Sequence, residues 1–112
     1  MIPTPMFRAE ITFHFRENQP PHQGLFGVSD DYHRRVPMQM EGVQGLHTVM
    51  MWFPKKGTFR LGDTVVVECS VIAPQLFNEA VQSGAKFELW DGRFIAAGKV
   101  LERVQAGWPN EA

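Results

Sequence analysis

The residues that could carry chemistry are few and widely separated. His14, His22, His33 and His47 are never two or four residues from one another, and Cys69 is the only cysteine. Zinc sites are typically built from cysteine and histidine ligands at short, regular spacings. The spacing therefore predicts no metal site, and we expect His14 and His47 on the outer faces of strands as partly solvated polar residues.

Nucleophilic catalysis has no better support in the sequence. Ser29, Ser70 and Ser83 are not part of a Gly-x-Ser-x-Gly turn, which would present a serine hydroxyl to a substrate. Cys69 follows Val65 and Val67 at the same two-residue spacing, which predicts a buried thiol packed as a small apolar group. We therefore expect a protein that is not an enzyme and needs no cofactor.

Three acidic residues between positions 17 and 31 allow two interpretations. Asp30 and Asp31, with Glu17, could form a pair with a raised pKa. Aspartates in turns more often accept hydrogen bonds from nearby backbone amides, and we favour that role.

Basic residues occur in two local groups, Arg34-Arg35 and Lys55-Lys56, with Tyr32 and His33 beside the first. Such groups could contact phosphates while the aromatic rings stack on unpaired bases. Alternatively, they are charges that keep a strand edge solvated. The chain has 11 basic and 12 acidic residues, a net charge of −1, so no global field attracts it to nucleic acid or anionic lipid.

Methionines and aromatic residues are concentrated in the middle of the chain. If a strand here buries only one face, the other face is an apolar strip suited to protein docking, since methionine side chains adapt to a partner. The alternative is that the loop through Phe26 and the C-terminal Trp108 cover both faces. The docking candidates are Met38, Met40, Met50, Met51, Trp52 and Phe53.

Length and composition favour one ordinary folded domain over residues 1–112. A chain of 112 residues can bury a core without disulfides, and its 44% hydrophobic content is typical of globular proteins. We expect a soluble, cytoplasmic protein, because the start lacks a signal-peptide pattern, no 18 apolar residues run together, and a single cysteine suits a reducing compartment.

Alternating hydrophobicity predicts strands through most of the chain. The first runs from Phe7 to Arg16, and others are expected over Tyr32–Met40, Leu46–Phe53, Thr64–Ile72, Lys86–Trp90 and Arg93–Val104. Glu17–Gly27 is expected to be a loop, Pro37 to mark an edge or a bend, and Ala73–Ser83 to hold a short helical turn. Asp91-Gly92 predicts a type I′ hairpin turn, and Gly98 a bend or bulge. The sum is an all-β protein, a small six-stranded antiparallel barrel in which closure hides the apolar faces.

Parts of this pattern resemble the third, C-terminal β-barrel domain of elongation factor Tu. The resemblance is carried by a Gly-Asp turn before a valine-rich strand, a strand that ends in proline, and a hairpin with Gly-Arg at its turn, and the first strand is similar too. These segments are Phe7–Ile11, Gly62–Val67, Val71–Pro74 and Ala85–Val100. The chain departs from the family between Gln19 and Gly45.

The resemblance implies a barrel without chemistry of its own that contacts tRNA and docks proteins. GTP binding is not implied, because the chain has no glycine-rich phosphate loop. By position, Lys86 and Gly92 match residues that contact the tRNA backbone in the family, His22 lies near a loop histidine with that role, and Arg93 adjoins the same turn. We thus expect a binding module acting on tRNA or a translation protein, or alternatively an inhibitor, an immunity-type protein or a self-associating subunit.

Overall fold

Strands make up most of the computed structural model, which describes residues 4–14 and 25–109. The strands are β1 (Phe7–Phe13), β2 (Leu25–Val28), β3 (His33–Met40), β4 (His47–Trp52), β5 (Gly57–Arg60), β6 (Thr64–Val71), β7 (Lys86–Trp90) and β8 (Phe94–Arg103). One short helix, α1 (Pro74–Phe77), follows β6, and a 3₁₀ turn at Gln105–Gly107 follows β8. Among these residues, no helix has both the length and the apolar character that a membrane crossing requires.

Six of the strands close into an antiparallel barrel in the order β1-β6-β4-β3-β7-β8. This confirms the predicted fold class. The physical reason is the two-residue alternation: each strand has at least one apolar side, and closing the sheet buries one such side of every strand in a single interior.

The barrel interior is filled by alternate residues of every strand. On β1, for example, Phe7, Ala9, Ile11 and Phe13 are all buried, whereas Arg8 and Glu10 are exposed. Cys69 is buried among them, as expected, and burial raises the pKa of its thiol well above the ordinary value.

The predicted loop at Glu17–Gly27 is wrong at its end. Leu25–Val28 forms β2, which pairs with β5 in a separate two-stranded sheet. This small sheet contributes Phe26 and Phe59, which pack on Phe13 and Phe53 with ring centroids 5.0–5.9 Å apart. The cluster closes one end of the barrel with aromatic rings.

Gly98 has a different role from the predicted bend or bulge. It lies opposite Phe87 in the β7–β8 ladder, and a Cβ at this position would come within 2.2 Å of the Phe87 ring. The ring occupies the space that a side chain would take. The irregularity in this hairpin falls instead between Leu89 and Trp90.

The hairpin between β7 and β8 is confirmed, but its turn is not type I′. Trp90 pairs with Phe94, so three residues form the loop, and of its first two only Gly92 has a positive φ, of 75°. Type I′ requires positive φ at both central residues. A three-residue loop with glycine in the left-handed region is another common hairpin solution.

Two further boundaries differ from prediction. β1 ends at Phe13, so His14 lies beyond the strand, and the rest of its predicted extent lies outside the described residues. The helical turn begins at Pro74 as predicted but ends at Phe77. In the segment after the helix, Arg103 donates hydrogen bonds to the carbonyl oxygens of Asn78 (2.6 Å) and Val81 (3.3 Å). A longer helix could have used these carbonyl oxygens as acceptors for its own backbone amides.

Pro37 lies where β3 has a strand on one side only. β3 pairs with β4 along His33–Met38 but with β7 only along Met38–Met40. Since proline cannot donate to a ladder, a position with an open side tolerates it. The predicted edge strand is wrong, because β3 lies between β4 and β7 in the closed barrel, but Pro37 itself lies beyond the end of the β3–β7 ladder.

Candidate functional site

Four of the six predicted docking residues are in the core. Met38, Met40, Met51 and Phe53 are between 0% and 4% exposed, because the inner sides of β3 and β4 face the barrel interior. As members of an exposed strip they were predicted wrongly. Phe26 does cover Phe53, as the alternative predicted, whereas Trp108 packs near the N-terminal segment, where its Nε1 donates to the carbonyl oxygen of Met6.

Met50 and Trp52 point the other way, and both are partly exposed. They lie at the centre of a surface formed by the outward residues of three neighbouring strands. We call this surface the outer face; it comprises His33, Arg35, Pro37, Thr48, Met50, Trp52, Glu68 and the adjoining Ile72. Ser70 has the same phase on β6 and lies beside Met50, but it is buried. Ile72 is 69% exposed, the most open of the large apolar residues described.

The strand register brings together two groups that the sequence keeps apart. Arg35 is paired with Met50, and His33 is paired with Trp52. The His33 and Trp52 rings lie against each other, with centroids 4.8 Å apart. The basic and aromatic segment of β3 and the outward side of β4 thus form one continuous surface.

The outer face has opposite charges on its two sides. On the β3 side, Arg35 is exposed and makes no ion pair or hydrogen bond with any residue of the described ranges. On the β6 side, Arg8 lies between Glu68 (3.5 Å) and Glu102 (3.2 Å), so two carboxylates share one guanidinium. An apolar centre therefore separates a positive side from a negative one.

The other basic residues near β3 are already engaged. The Arg34 guanidinium stacks on the Phe26 ring at 4.0 Å and donates to the carbonyl oxygen of Gly27. Lys55 lies over the Phe59 ring at 5.4 Å, and Lys56 pairs with Asp30 at 3.2 Å. The two basic groups of the sequence therefore do not merge into a free cationic patch.

Tyr32, the residue before β3, has an unusual backbone conformation. Its φ is 59°, the one positive value among the described residues other than glycine, and its side chain is 39% exposed. A residue with a Cβ is strained there by about 1 kcal/mol or more. A tyrosine therefore occupies a position that glycine or asparagine would fill with less strain.

The turn before Tyr32 is stabilised by Asp31. Its carboxylate accepts hydrogen bonds from the backbone amide of His33 (3.2 Å) and the hydroxyl of Ser29 (3.0 Å). These two interactions, the amide first, hold the pKa of Asp31 below its usual value. The turn role that the sequence analysis favoured for this residue is therefore confirmed.

His33 has one ring atom without a partner. Its Nε2 is buried beside Trp52 and makes no hydrogen bond with the described residues. His14, beyond the end of β1, approaches Glu88 at 3.9 Å. In the described ranges, no three His, Cys, Asp or Glu side chains gather closely enough to hold a metal ion.

The predicted RNA-contacting residues are spread along one hairpin. Lys86 begins β7 and Gly92 and Arg93 lie in the turn beyond its other end, roughly 13 Å or more away. His22 lies outside the described residues. The register adds a residue that the sequence analysis missed, since Lys86 lies directly opposite Lys99. Neither lysine has an ion pair among the described side chains.

A shallow groove adjoins Lys86. It has a volume of about 530 Å³ and lies between the loop after β3 and the outer sides of β7 and β8. Its charged lining residues are Lys86, Glu41 and Glu88. The two carboxylates weaken the attraction of the groove itself for an anion, whereas Lys99, opposite Lys86, lies outside this lining.

Sequence reasoning missed Glu68 and Ile72 as parts of the outer face. Glu68 lies in β6 and Ile72 directly follows it, but their neighbours depend on pairing between β4 and β6, which β5 separates along the chain. The useful signal was the outward phase of β6, in which Val66 and Glu68 alternate with the buried Val65, Val67 and Cys69.

No protein-family model matches the chain, and comparison with curated proteins gives no match either.

Proposed function

We propose that this protein is a non-catalytic binding module that docks another protein chain on the outer face. The observation that carries the proposal is the position of Met50 and Trp52, apolar side chains left partly exposed at the centre of a three-stranded surface. Protein interfaces are enriched in methionine, tryptophan and arginine, with an apolar centre and a charged rim. Arg35 and Glu68 supply that rim.

The chemistry of the interior also supports a role without catalysis. Cys69, the only thiol, is 0% exposed, and burial disfavours its thiolate. His33, the aromatic partner of Trp52, has its free nitrogen buried rather than directed to a substrate. Recognition by shape and charge is therefore a better use of this surface than proton transfer.

The resemblance to the third domain of elongation factor Tu supports a partner from the translation apparatus in the cytoplasm. In that family the same kind of six-stranded barrel serves as a docking surface and grips tRNA. The resemblance concerns the hairpin side of the barrel, whereas the outer face includes the segment in which this chain departs from the family. Of the outer face, only His33, Arg35 and Pro37 lie in that segment.

The docking proposal is tested by a pull-down from the native host with three baits. Wild type and Leu61→Asp should retain the same partner, because Leu61 is 64% exposed and lies away from the outer face. Met50→Asp should lose it, since a carboxylate at the centre of the interface cannot be desolvated at low cost. Equal capture by all three baits contradicts the proposal.

RNA binding is the second candidate, and the cross-strand pair of Lys86 and Lys99 favours it. Like charges directly opposite each other destabilise a sheet unless counter-charges are present. Glu10 of β1 lies opposite Lys99 on its other side and offsets one of the two charges, and a phosphate backbone would offset the other. Titration of tRNA at low and high salt tests this function. Affinity that falls with salt, and falls further in Lys86→Gln, supports it; no binding at low salt rules it out.

A further inference from the structure

The charge pattern of the outer face is complementary to itself. Its positive side is Arg35 and its negative side is Glu68, and the two flank β4 with Met50 and Trp52 between them. Arg35 has no partner in the described residues, while the acidic side has one carboxylate in excess over Arg8. Glu68 shares Arg8 with Glu102, so its charge is only partly neutralised, and a surface with one unpaired cation and one such carboxylate can balance both by meeting a copy of itself.

We propose that the outer face pairs with the outer face of a second copy of this chain to form a two-fold symmetric dimer. This inference rests on the proposed function and specifies its partner. Arg35 of each chain meets Glu68 of the other, and Met50 and Trp52 pack across the axis. An isologous interface requires this reciprocity, in which each contact occurs twice.

The strand geometry defines where the axis lies. β3 and β6 are the two neighbours of β4, so Arg35 and Glu68 are separated by two strand spacings across the sheet. Arg35 is level with Met50 and Glu68 with Trp52, two residues further along β4, which makes the distance between them about 12 Å. A two-fold axis in the plane of the interface, perpendicular to the line between them and through its midpoint, exchanges the two positions. That midpoint falls on β4 between Met50 and Trp52, the apolar centre of the face.

The size of the face predicts a weak dimer. Three strands of six to eight residues cover roughly 14 Å by 20 Å, less than the roughly 800 Å² per partner of a standard interface. Net charge adds little repulsion, because each chain carries only −1. The dimer should therefore dissociate into monomers when the protein is diluted.

The test is sedimentation velocity and light scattering from dilute to the highest soluble concentration. Wild type should pass from 12.7 kDa to twice that mass as concentration rises. Arg35→Glu alone and Glu68→Lys alone should each remain monomeric, since each sets like charges together twice, and the dissociation constant should rise on the order of 100-fold. An equimolar mixture of the two variants should dimerise, because every contact then joins opposite charges.

The matched control is Arg60→Glu, which makes the same charge change at an exposed residue of β5 away from the outer face. It should dimerise like wild type. Wild type that stays monomeric at every concentration overturns the proposal, as do charge variants that dimerise unchanged. Circular dichroism of each variant verifies that loss of the dimer is not loss of the fold.

Failure of this inference is separable from failure of the proposed function. If wild type is monomeric but Met50→Asp still loses a captured protein that Leu61→Asp retains, the outer face binds a different chain and self-pairing is wrong. If Met50→Asp changes neither the mass nor the captured proteins, both are wrong.

Discussion

Met50 and Met51 are neighbours in the sequence and lie in opposite environments. Met51 is 0% exposed inside the barrel, whereas Met50 is partly exposed beside Arg35 and Ser70 on the outer face. The same side chain therefore serves packing at one position and is available for recognition at the next. The comparison separates the residues that maintain this fold from those that can change without loss of it.

The largest effect is expected inside the barrel. Met51→Ala should lower the free energy of unfolding by about 2–5 kcal/mol, because it removes buried apolar contacts and leaves a cavity. Met50→Ala should lower it by less than about 0.5 kcal/mol, as for most surface substitutions. Urea denaturation of the two variants measures the difference, and similar losses would contradict the assignment of the two faces.

A substitution that adds a methyl group to the barrel interior also tests the difference between buried and exposed positions. Gly98→Ala should destabilise by about 1–3 kcal/mol, because the new Cβ meets the Phe87 ring, which must move within a packed interior. Gly27→Ala on β2 is the control, since a Cβ there has nothing within 4 Å. Thermal melts should show a lower transition for the first variant alone.

A smaller effect is expected at Tyr32, whose strained backbone directly precedes the outer face in the chain. Tyr32→Gly should be more stable than Tyr32→Ala by about 1 kcal/mol, because only glycine adopts a φ of 59° without strain from a Cβ. If the glycine variant is more stable than wild type but binds less partner, the strain is kept for recognition. Equal stability of the two variants would show that the backbone relaxes.

The smallest effect is the pH dependence at Asp31. Its folded-state pKa lies below the ordinary 3.8, so its ionised form stabilises the turn at neutral pH, and this contribution is lost as pH falls through 3.8 and the lower folded value. Asp31→Asn should therefore be less stable than wild type at about pH 7, and the difference should shrink toward about pH 3. Denaturation at both pH values measures it, and a difference that grows on acidification would be contrary to expectation.

The barrel could be predicted from sequence because alternation over seven or eight residues is hard to mistake. β1 and β6 both show it, and their burial follows the pattern. β2 and β5 were missed because each has only four residues and includes a glycine. Strands that short gain their stability from each other and from the phenylalanine cluster, which are contacts distant in sequence.

The outer face was only half predictable for a similar reason. Both sides of β4 are apolar, so alternation alone could not decide which of Met50 and Met51 faces the interior. Pairing of β4 with β6 determines which of the two faces the interior, and it also brings Glu68 beside Trp52. The hydrophobic pattern of a sequence describes one strand at a time, whereas the outer face is formed by three paired strands.

The pairing of β1 with β8 has a consequence for how the chain acquires its shape. This ladder joins the earliest described strand to the latest, from Phe7 with Arg103 to Phe13 with Ala96. Until β8 has left the ribosome, the hydrogen-bonding groups on that edge of β1 have no strand to bind and the cylinder remains open. We expect closure to follow synthesis of β8, with a folding rate limited by that long-range encounter.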